Sequence, residues 1–536
     1  MRGSPTRSWG EAFGEISARD RDGALTAEDL EDLAVAAYMV GNDEECGDAW
    51  MRAHRDWLRR GEIERAARCA FWQALGLLFR GDQAPALGWV ARGRRVLKDA
   101  PDCAEQGWLL TLSALPLLFE GKTKSAWDDL TRAGEIAARF GDRDLLALCD
   151  IGRGEALVLQ GRIAEGIALL DEVMVAVVSD ELSPIMIGLA YCNVIAVCHD
   201  AYDLRRAREW TDALSRWCES QPDLVPYRGN CLVHRSEIFL LEGAWREALT
   251  EARRACELLS GPTAWDTLGS AFYQLGEIQR LRGEWADAEE SYRRATAAGR
   301  EPEPGMSLLR LAQGEIEMAA ASIRRALSEW GDVSDRAKIL PAFIEIMLEV
   351  KEVEGARSAA DELSEIAAEV DVPYLHALAS HATGAVLLAE GDAQAALADL
   401  RKAHGSWSEL NASYQAGRAR ELIGVACFEL RDAGTAELEF ASAREVYERL
   451  EAATDLARVG VRTGPQKAKA TGVLSPREVE VLTSMASGNT NRTIAKELFI
   501  SEKTVARHIS NIFRKLEITS RGEAIAYAYR HGFAHS

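Results

Sequence analysis

No apolar run in this chain approaches the roughly 18 residues that a membrane-spanning helix needs, and its first eight residues are too polar to open a secretion signal. A cytoplasmic, soluble protein without a membrane partner is expected. Proline is scarce, with 14 in 536 residues, and the first 463 residues show neither strand-like runs nor long polar tracts. Helix after helix is what remains, an all-α chain too long for one ordinary domain. Ten cysteines lie at positions 46, 69, 103, 149, 192, 198, 218, 231, 256 and 427, none in a CxxC spacing. Most read as small, reduced core residues. Cys231 and His234 lie three apart on a predicted helix, but two ligands without a second pair do not make a metal site. Gly121-Lys122-Thr123 ends like a phosphate-binding loop, yet Pro116 stands where that loop requires its first Gly. Scattered Asp and Glu read as polar helix faces. No catalytic site, cofactor or metal is expected.

Basic charge is also in short supply, 63 Lys and Arg against 84 Asp and Glu, for a net charge of -21. It is unevenly placed. Residues 464–536 hold eleven cations and six glutamates, a balance of +5, so everything before them carries -26. Attraction to a nucleic-acid backbone needs positive surface, and only the C-terminal end offers it.

What the first 463 residues do contain is a period. A turn residue, usually Gly, followed five positions later by a small residue recurs at Gly41, Gly81, Gly121, Gly161, Tyr202, Gly243, Gly283, Gly314, Lys351, Gly391 and Arg431. All but two of the steps are 40 or 41 residues. Such regularity marks stacked helical hairpins, none of which can bury its apolar face without neighbours. The clearest units, residues 241–259 and 281–299, resemble tetratricopeptide repeats, although 40 residues exceeds the usual unit of about 34. Between Gly283 and Gly314 the step shrinks to 31, and Pro302 and Pro304 forbid a long helix there. A shortened hairpin and a bend are expected, with a ligand groove or a plain surface loop as the two readings of the turn. Residues 459–473 have Gly, Pro, Thr and Lys without an apolar period and read as a flexible linker. The domain boundaries expected are therefore a solenoid at 1–458, a linker at 459–473 and a small domain at 474–536.

That small domain is dense in helix signals. Ser475, Pro476 and Glu478 suit an N-cap, first and third helical position, and Val479, Leu482, Met485 and Ala486 form one apolar stripe before Gly488. Thr490 or Asn489 can cap a second short helix that buries Ile494, Ala495 and Leu498, with Phe499 and Ile500 filling the turn. Ser501 caps a third, in which Val505, Ile509, Ile512 and Leu516 face inward. At about 100° per residue, Lys503, Ala506, Arg507, Ser510 and Arg514 fall on the opposite face. Such a face can lie in a major groove, Arg suiting a guanine edge and Lys a phosphate. On periodicity alone it reads equally as a solvated surface.

Leu474-Ser-Pro-Arg-Glu478, Gly488, Asn491, Ile494-Ala495, Ser501-Glu-Lys-Thr-Val505, His508, Asn511, Ile512, Lys515, Leu516 and Arg521 together resemble the LuxR-type (GerE-like) DNA-binding domain. The resemblance implies a four-helix domain whose third helix enters the major groove while the second crosses the backbone. A fourth helix, from a Ser520 cap through Ala524, Ile525 and Ala528 to Gly532, then offers a dimer contact. Ala506, Arg507 and Ser510 match positions that usually face bases. Thr490, Asn491, Lys503, Thr504, His508 and Lys515 match positions that contact or support the backbone, and Ser501, Val505 and Asn511 complete the implied DNA-binding set, Val505 also reading as core. His508 either reaches a phosphate or packs.

The expected function is a non-enzymatic transcription regulator of the LuxR type, with double-stranded DNA as partner and a homodimer on DNA. RNA polymerase is a candidate partner, and the solenoid would sense a protein or small-molecule effector. The alternative is a scaffold whose C-terminal domain docks a protein.

Overall fold

The computed structural model describes residues 8–23, 25–221, 223–260, 267–329 and 333–463. Beyond these it describes residue 474, residues 476–487, 489–498 and 500–516, residue 518, and residues 520–530. The described residues form 28 helices and no strand. None of these helices is long and apolar enough to cross a membrane. The chain divides into two compact units, residues 1–454 and 455–536.

In the first unit, a capped helix Trp9–Arg21 precedes eleven hairpins, from Ala27–Met39 with Asp43–Arg60 to Ser413–Glu429 with Ala433–Leu450. Each first helix packs along its own second helix, and successive hairpins stack. All eleven turn positions expected from the sequence period adopt a left-handed backbone, with φ between 56° at Tyr202 and 86° at Gly391. That conformation closes a helix C-terminus, and glycine reaches it without a β-carbon clash. The small residue five positions on has an equally physical cause. Ala86, Ala126, Ala207, Ala248, Ala288, Ala319, Ala356 and Ala396 are all fully buried where the two helices of a hairpin cross. At Gly166 a β-carbon would sit 2.6 Å from the Gly154 carbonyl oxygen of the partner helix.

A second set of left-handed residues, Gly61, Gly141, Asp180, Asp371, Asn411 and Glu451, marks turns between hairpins, about half a period from the first. These had no common residue type and left no trace in the sequence period. The shortened step near residue 300 is real: Gly305–Ala312 is an eight-residue first helix. The turn before it folds inward, with Glu303 buried and accepting a bond from the Ser307 amide at 3.2 Å.

The repeats also wind back on themselves. Trp9 Nε1 donates to Gln221 Oε1 at 3.1 Å, and the Val225 amide donates to the Met39 carbonyl at 2.9 Å. Further along, Lys338 pairs with Asp200 at 2.8 Å, Ser413 Oγ donates to the Glu242 carbonyl at 3.1 Å, and Arg282 pairs with Glu451 at 2.9 Å. Contacts spanning some four to five hairpins recur along the unit.

After the eleventh hairpin a helix runs from Ala453 to Thr463. Residues 459–463, expected in the linker, are therefore helical, because Val459 supplies a fully buried apolar position within that helix. Residues 464–473 lie outside the described residues.

Candidate nucleic-acid interface

The four helices of the C-terminal domain are Pro476–Ala486, Asn491–Glu497, Glu502–Leu516 and Arg521–Arg530. Their core is made by Leu474, Val481, Leu482, Met485, Ile494, Val505, Ile512, Ala524 and Ala528, all buried. Each large side chain sealed there stabilises the fold by about 1.5–3 kcal/mol. Val481 was absent from the expected stripe, yet it is as fully buried as Leu482. Val479, Leu498, Ile509 and Leu516 pack at the edge of this core.

Capping side chains fix where three of the helices begin. Thr490 Oγ1 accepts from the Thr493 amide at 3.3 Å, so Thr490 is the cap of the second helix. Ser501 Oγ accepts from the Thr504 amide at 3.1 Å and shares a 2.7 Å bond with the Thr504 hydroxyl. Ser520 Oγ accepts from the Glu523 amide at 3.2 Å, starting the fourth helix. Ser475, Gly488, Phe499 and Gly532, assigned to a cap, stops and a turn, lie outside the described residues.

The third helix presents Lys503, Ala506, Arg507 and Ser510 as exposed residues on one strip, with Arg514 exposed one turn on. Arg514 Nη2 donates to Asn511 Oδ1 at 3.1 Å, and Ser510 Oγ turns back to the Ala506 carbonyl at 3.1 Å. Among the described residues, neither Lys503 nor Arg507 is held in an ion pair. A cation left free on a flat face with small neighbours can approach a phosphate or a base edge closely.

Other members of the expected DNA-binding set have different surroundings. Val505 is fully buried and holds the helix against the core, so it faces away from any groove. Asn491 is half-buried, and its Oδ1 accepts from Arg521 Nη1 at 3.0 Å, which ties the second helix to the fourth. His508 is half-buried, with Nδ1 enclosed and, among the described residues, without a hydrogen-bond partner. Lys515 donates through Nζ to Glu478 Oε2 at 2.7 Å, and the Glu478 side chain is only 4% exposed. The cation is thus already spent on an internal carboxylate. Sequence periodicity could not reveal this pair, because its members lie 37 residues apart on different helices.

Around the second helix, Asn489 Nδ2 donates to Glu497 Oε1 at 3.0 Å, joining the approach to the helix to its last residue, and Ser484 Oγ donates to Glu497 Oε2 at 2.7 Å, tying that end to the first helix. The first two helices, joined in this way, both pack against the third.

Residues 472–528 match the sequence pattern of the bacterial regulatory proteins of the luxR family. The C-terminal unit carries a luxR-family domain. Over 57 residues the chain is 49% identical to the transcriptional regulatory protein LiaR of Bacillus subtilis, covering 11% of this chain and 27% of LiaR. It is 43% identical over 61 residues to the transcriptional regulatory protein DegU of Brevibacillus brevis, covering 11% of this chain and 26% of that protein. With the response regulator protein VraR of Staphylococcus saprophyticus it shares 42% over 66 residues, covering 12% of this chain and 32% of VraR. The chain thus spans only about a quarter to a third of the length of these relatives, and the likeness is confined to the luxR-family domain. Across the repeats, the APC/C hetero-tetramer Cut9-Hcn1 gives a structural match with a TM-score of 0.38 and 11% identity, covering 84% of this chain and 93% of the matched one.

Proposed function

We propose that this chain is a cytoplasmic DNA-binding transcription regulator in which the helix Glu502–Leu516 reads the major groove and the hairpin solenoid senses a protein or small-molecule effector. The free cationic strip of Lys503 and Arg507, flanked by Ala506 and Ser510, carries this reading. It supplies positive charge and close approach together, which a merely solvated helix face does not need. One such domain makes few contacts, so two copies on a two-part site would gain affinity through linked binding. RNA polymerase would then be met at the promoter. Thr490, Ser501 and Thr504, at the starts of the second and third helices, would offer hydroxyls to phosphates.

The test is fluorescence anisotropy of the full chain on random-sequence duplex DNA at several salt concentrations, wild type against Arg507→Ala. Wild type should bind with an affinity that falls steeply with salt, and the variant should bind more weakly with a slope shallower by about one. Absence of binding by wild type at low salt would point to the other reading, a scaffold whose C-terminal domain docks a protein.

A further inference from the structure

Most histidines in a helical repeat protein simply pack, but two in the middle of this solenoid meet. His199 lies at the end of helix Pro184–Asp200, the first helix of the fifth hairpin. His234 and Glu237 lie on Arg228–Glu242, the first helix of the sixth. Their spacing of three residues puts His234 and Glu237 on one helix face, and stacking of the two hairpins brings His199 over them. The imidazole rings lie nearly parallel, at 21°, with centroids 5.5 Å apart.

The donor atoms converge. His234 Nδ1 is 3.3 Å and His199 Nε2 is 3.5 Å from Glu237 Oε2, and one ligand atom from each residue lies within 4.8 Å of the other two. A charge-assisted hydrogen bond between an imidazolium and a carboxylate would close to about 2.7–2.9 Å. The His234–Glu237 contact is a long hydrogen bond, and among the described residues His199 Nε2 is buried without a hydrogen-bond partner. Both separations also match the edge of a tetrahedron around a metal about 2.1 Å from each ligand, roughly 3.4 Å.

We propose that His199, His234 and Glu237 form a binding site for a divalent transition metal of the zinc class. Two imidazoles and one carboxylate suit zinc and its neighbours better than calcium or magnesium, which take oxygen ligands alone. Three protein ligands leave a fourth position open. His234 and Glu237 also line a cavity of about 350 Å³ whose wall includes Asn193, Asn230, Cys192 and Ser270, so water or a donor atom of a small ligand in that cavity completes the shell.

The nearby cations are Arg300, facing Glu237, and Lys338, which pairs with Asp200 at 2.8 Å. Cys231, three residues before His234 and set aside as a ligand in the sequence, lies 3.2 Å from Ser215 Oγ. The site lies within the repeat unit, residues 1–454.

The test uses untagged, metal-stripped full chain. Zinc titrated against a chromophoric chelator should show one tight site, cobalt should give the visible absorption of a four-coordinate ion, and zinc but not magnesium should raise the thermal midpoint. His199→Gln and Glu237→Gln should each weaken zinc binding by about 100-fold or more, with unchanged helical circular dichroism, while Cys192→Ser binds as wild type. Should either variant fail to fold, the wild-type stoichiometry, cobalt spectrum and zinc-specific midpoint shift decide alone. Absence of a tight site in wild type, binding retained in both ligand variants, or a cobalt–thiolate charge-transfer band lost in Cys192→Ser would each overturn the proposal.

Discussion

Lys515 and Glu478 join the third helix of the luxR-family domain to its first through a 2.7 Å ion pair in which the carboxylate is almost wholly enclosed. Removing the lysine takes a counter-charge from a carboxylate that is already desolvated, which costs more than the pair itself contributes. Lys515→Gln should therefore destabilise the domain by about 1–3 kcal/mol. Its remaining folded fraction should show the wild-type salt slope on duplex DNA, whereas Arg507→Ala should lower affinity and leave the melting temperature in place. A Lys515 variant that melts normally but binds with a shallower salt slope would return this lysine to the phosphate-contacting set.

Tyr202 holds a turn slot that glycine fills elsewhere, at φ 56°. Its ring stacks on Tyr374 of the tenth hairpin, with centroids 5.7 Å apart and planes at 13°. Aromatic burial across the winding of the repeats offsets the left-handed strain, which is about 1 kcal/mol for a residue with a β-carbon. Tyr202→Ala should lose the stacking and keep the strain, costing about 3 kcal/mol. Tyr202→Gly loses the same ring but relaxes the backbone, so it should be about 1 kcal/mol less damaging. Chemical unfolding of both variants checks this order, and equal stabilities would show that the turn is unstrained.

These two residues also show what the sequence could and could not reveal. The period exposed Tyr202 as a turn because helix closure is local and repeats every hairpin, and the same locality gave the caps at Thr490, Ser501 and Ser520. The partners of Tyr202 and Lys515 lie 172 and 37 residues away in the numbering, and no local pattern encodes them. His199 escaped for the same reason, since it comes from the preceding hairpin, 35 residues before His234, whereas Glu237, one turn after His234, read as one more carboxylate on a polar helix face. Val481 was missed because the first helix of the C-terminal domain buries a wider face than a single stripe, with helices three and four both packed against it. Hairpin ends between repeats stayed silent because Gly, Asp, Asn and Glu all occupy them.

Gly166 and Gly355, both within helices, differ in what a β-carbon would meet. A β-carbon at Gly166 would press within 2.6 Å of a backbone oxygen, which cannot swing aside, whereas at Gly355 nothing lies within 4 Å. Gly166→Ala should cost about 1–3 kcal/mol through forced separation of its hairpin. Gly355→Ala, within the helix Val353–Val370, should stabilise by about 0.5–1 kcal/mol because alanine loses less backbone freedom there. Paired urea titrations measure both, and a shift of the same sign in the two variants would contradict the crossing geometry.

His381 and Glu155 set opposing pH dependences within the same solenoid. Burial, then the charge of Arg418, pushes the His381 imidazole down from 6.5 to about 3. Between those values the unfolded chain takes up a proton that the folded chain refuses, so this contribution to stability is full above pH 6.5 and lost as pH falls. Burial, then repulsion from Asp200, pushes Glu155 up from 4.5 to about 7. Its folded form keeps a proton that the unfolded chain releases, so its contribution is full below pH 4.5 and lost as pH rises through 7. Both act between pH 4.5 and 6.5, with opposite signs. Relative to wild type, His381→Gln should make stability fall more, or rise less, with increasing pH in that window, and Glu155→Gln should do the reverse, each changing the slope on the order of 1 kcal/mol per pH unit. Urea unfolding at pH 4.8 and 6.3 reads both slopes; variants that run parallel to wild type would mean that neither group is desolvated in the folded chain.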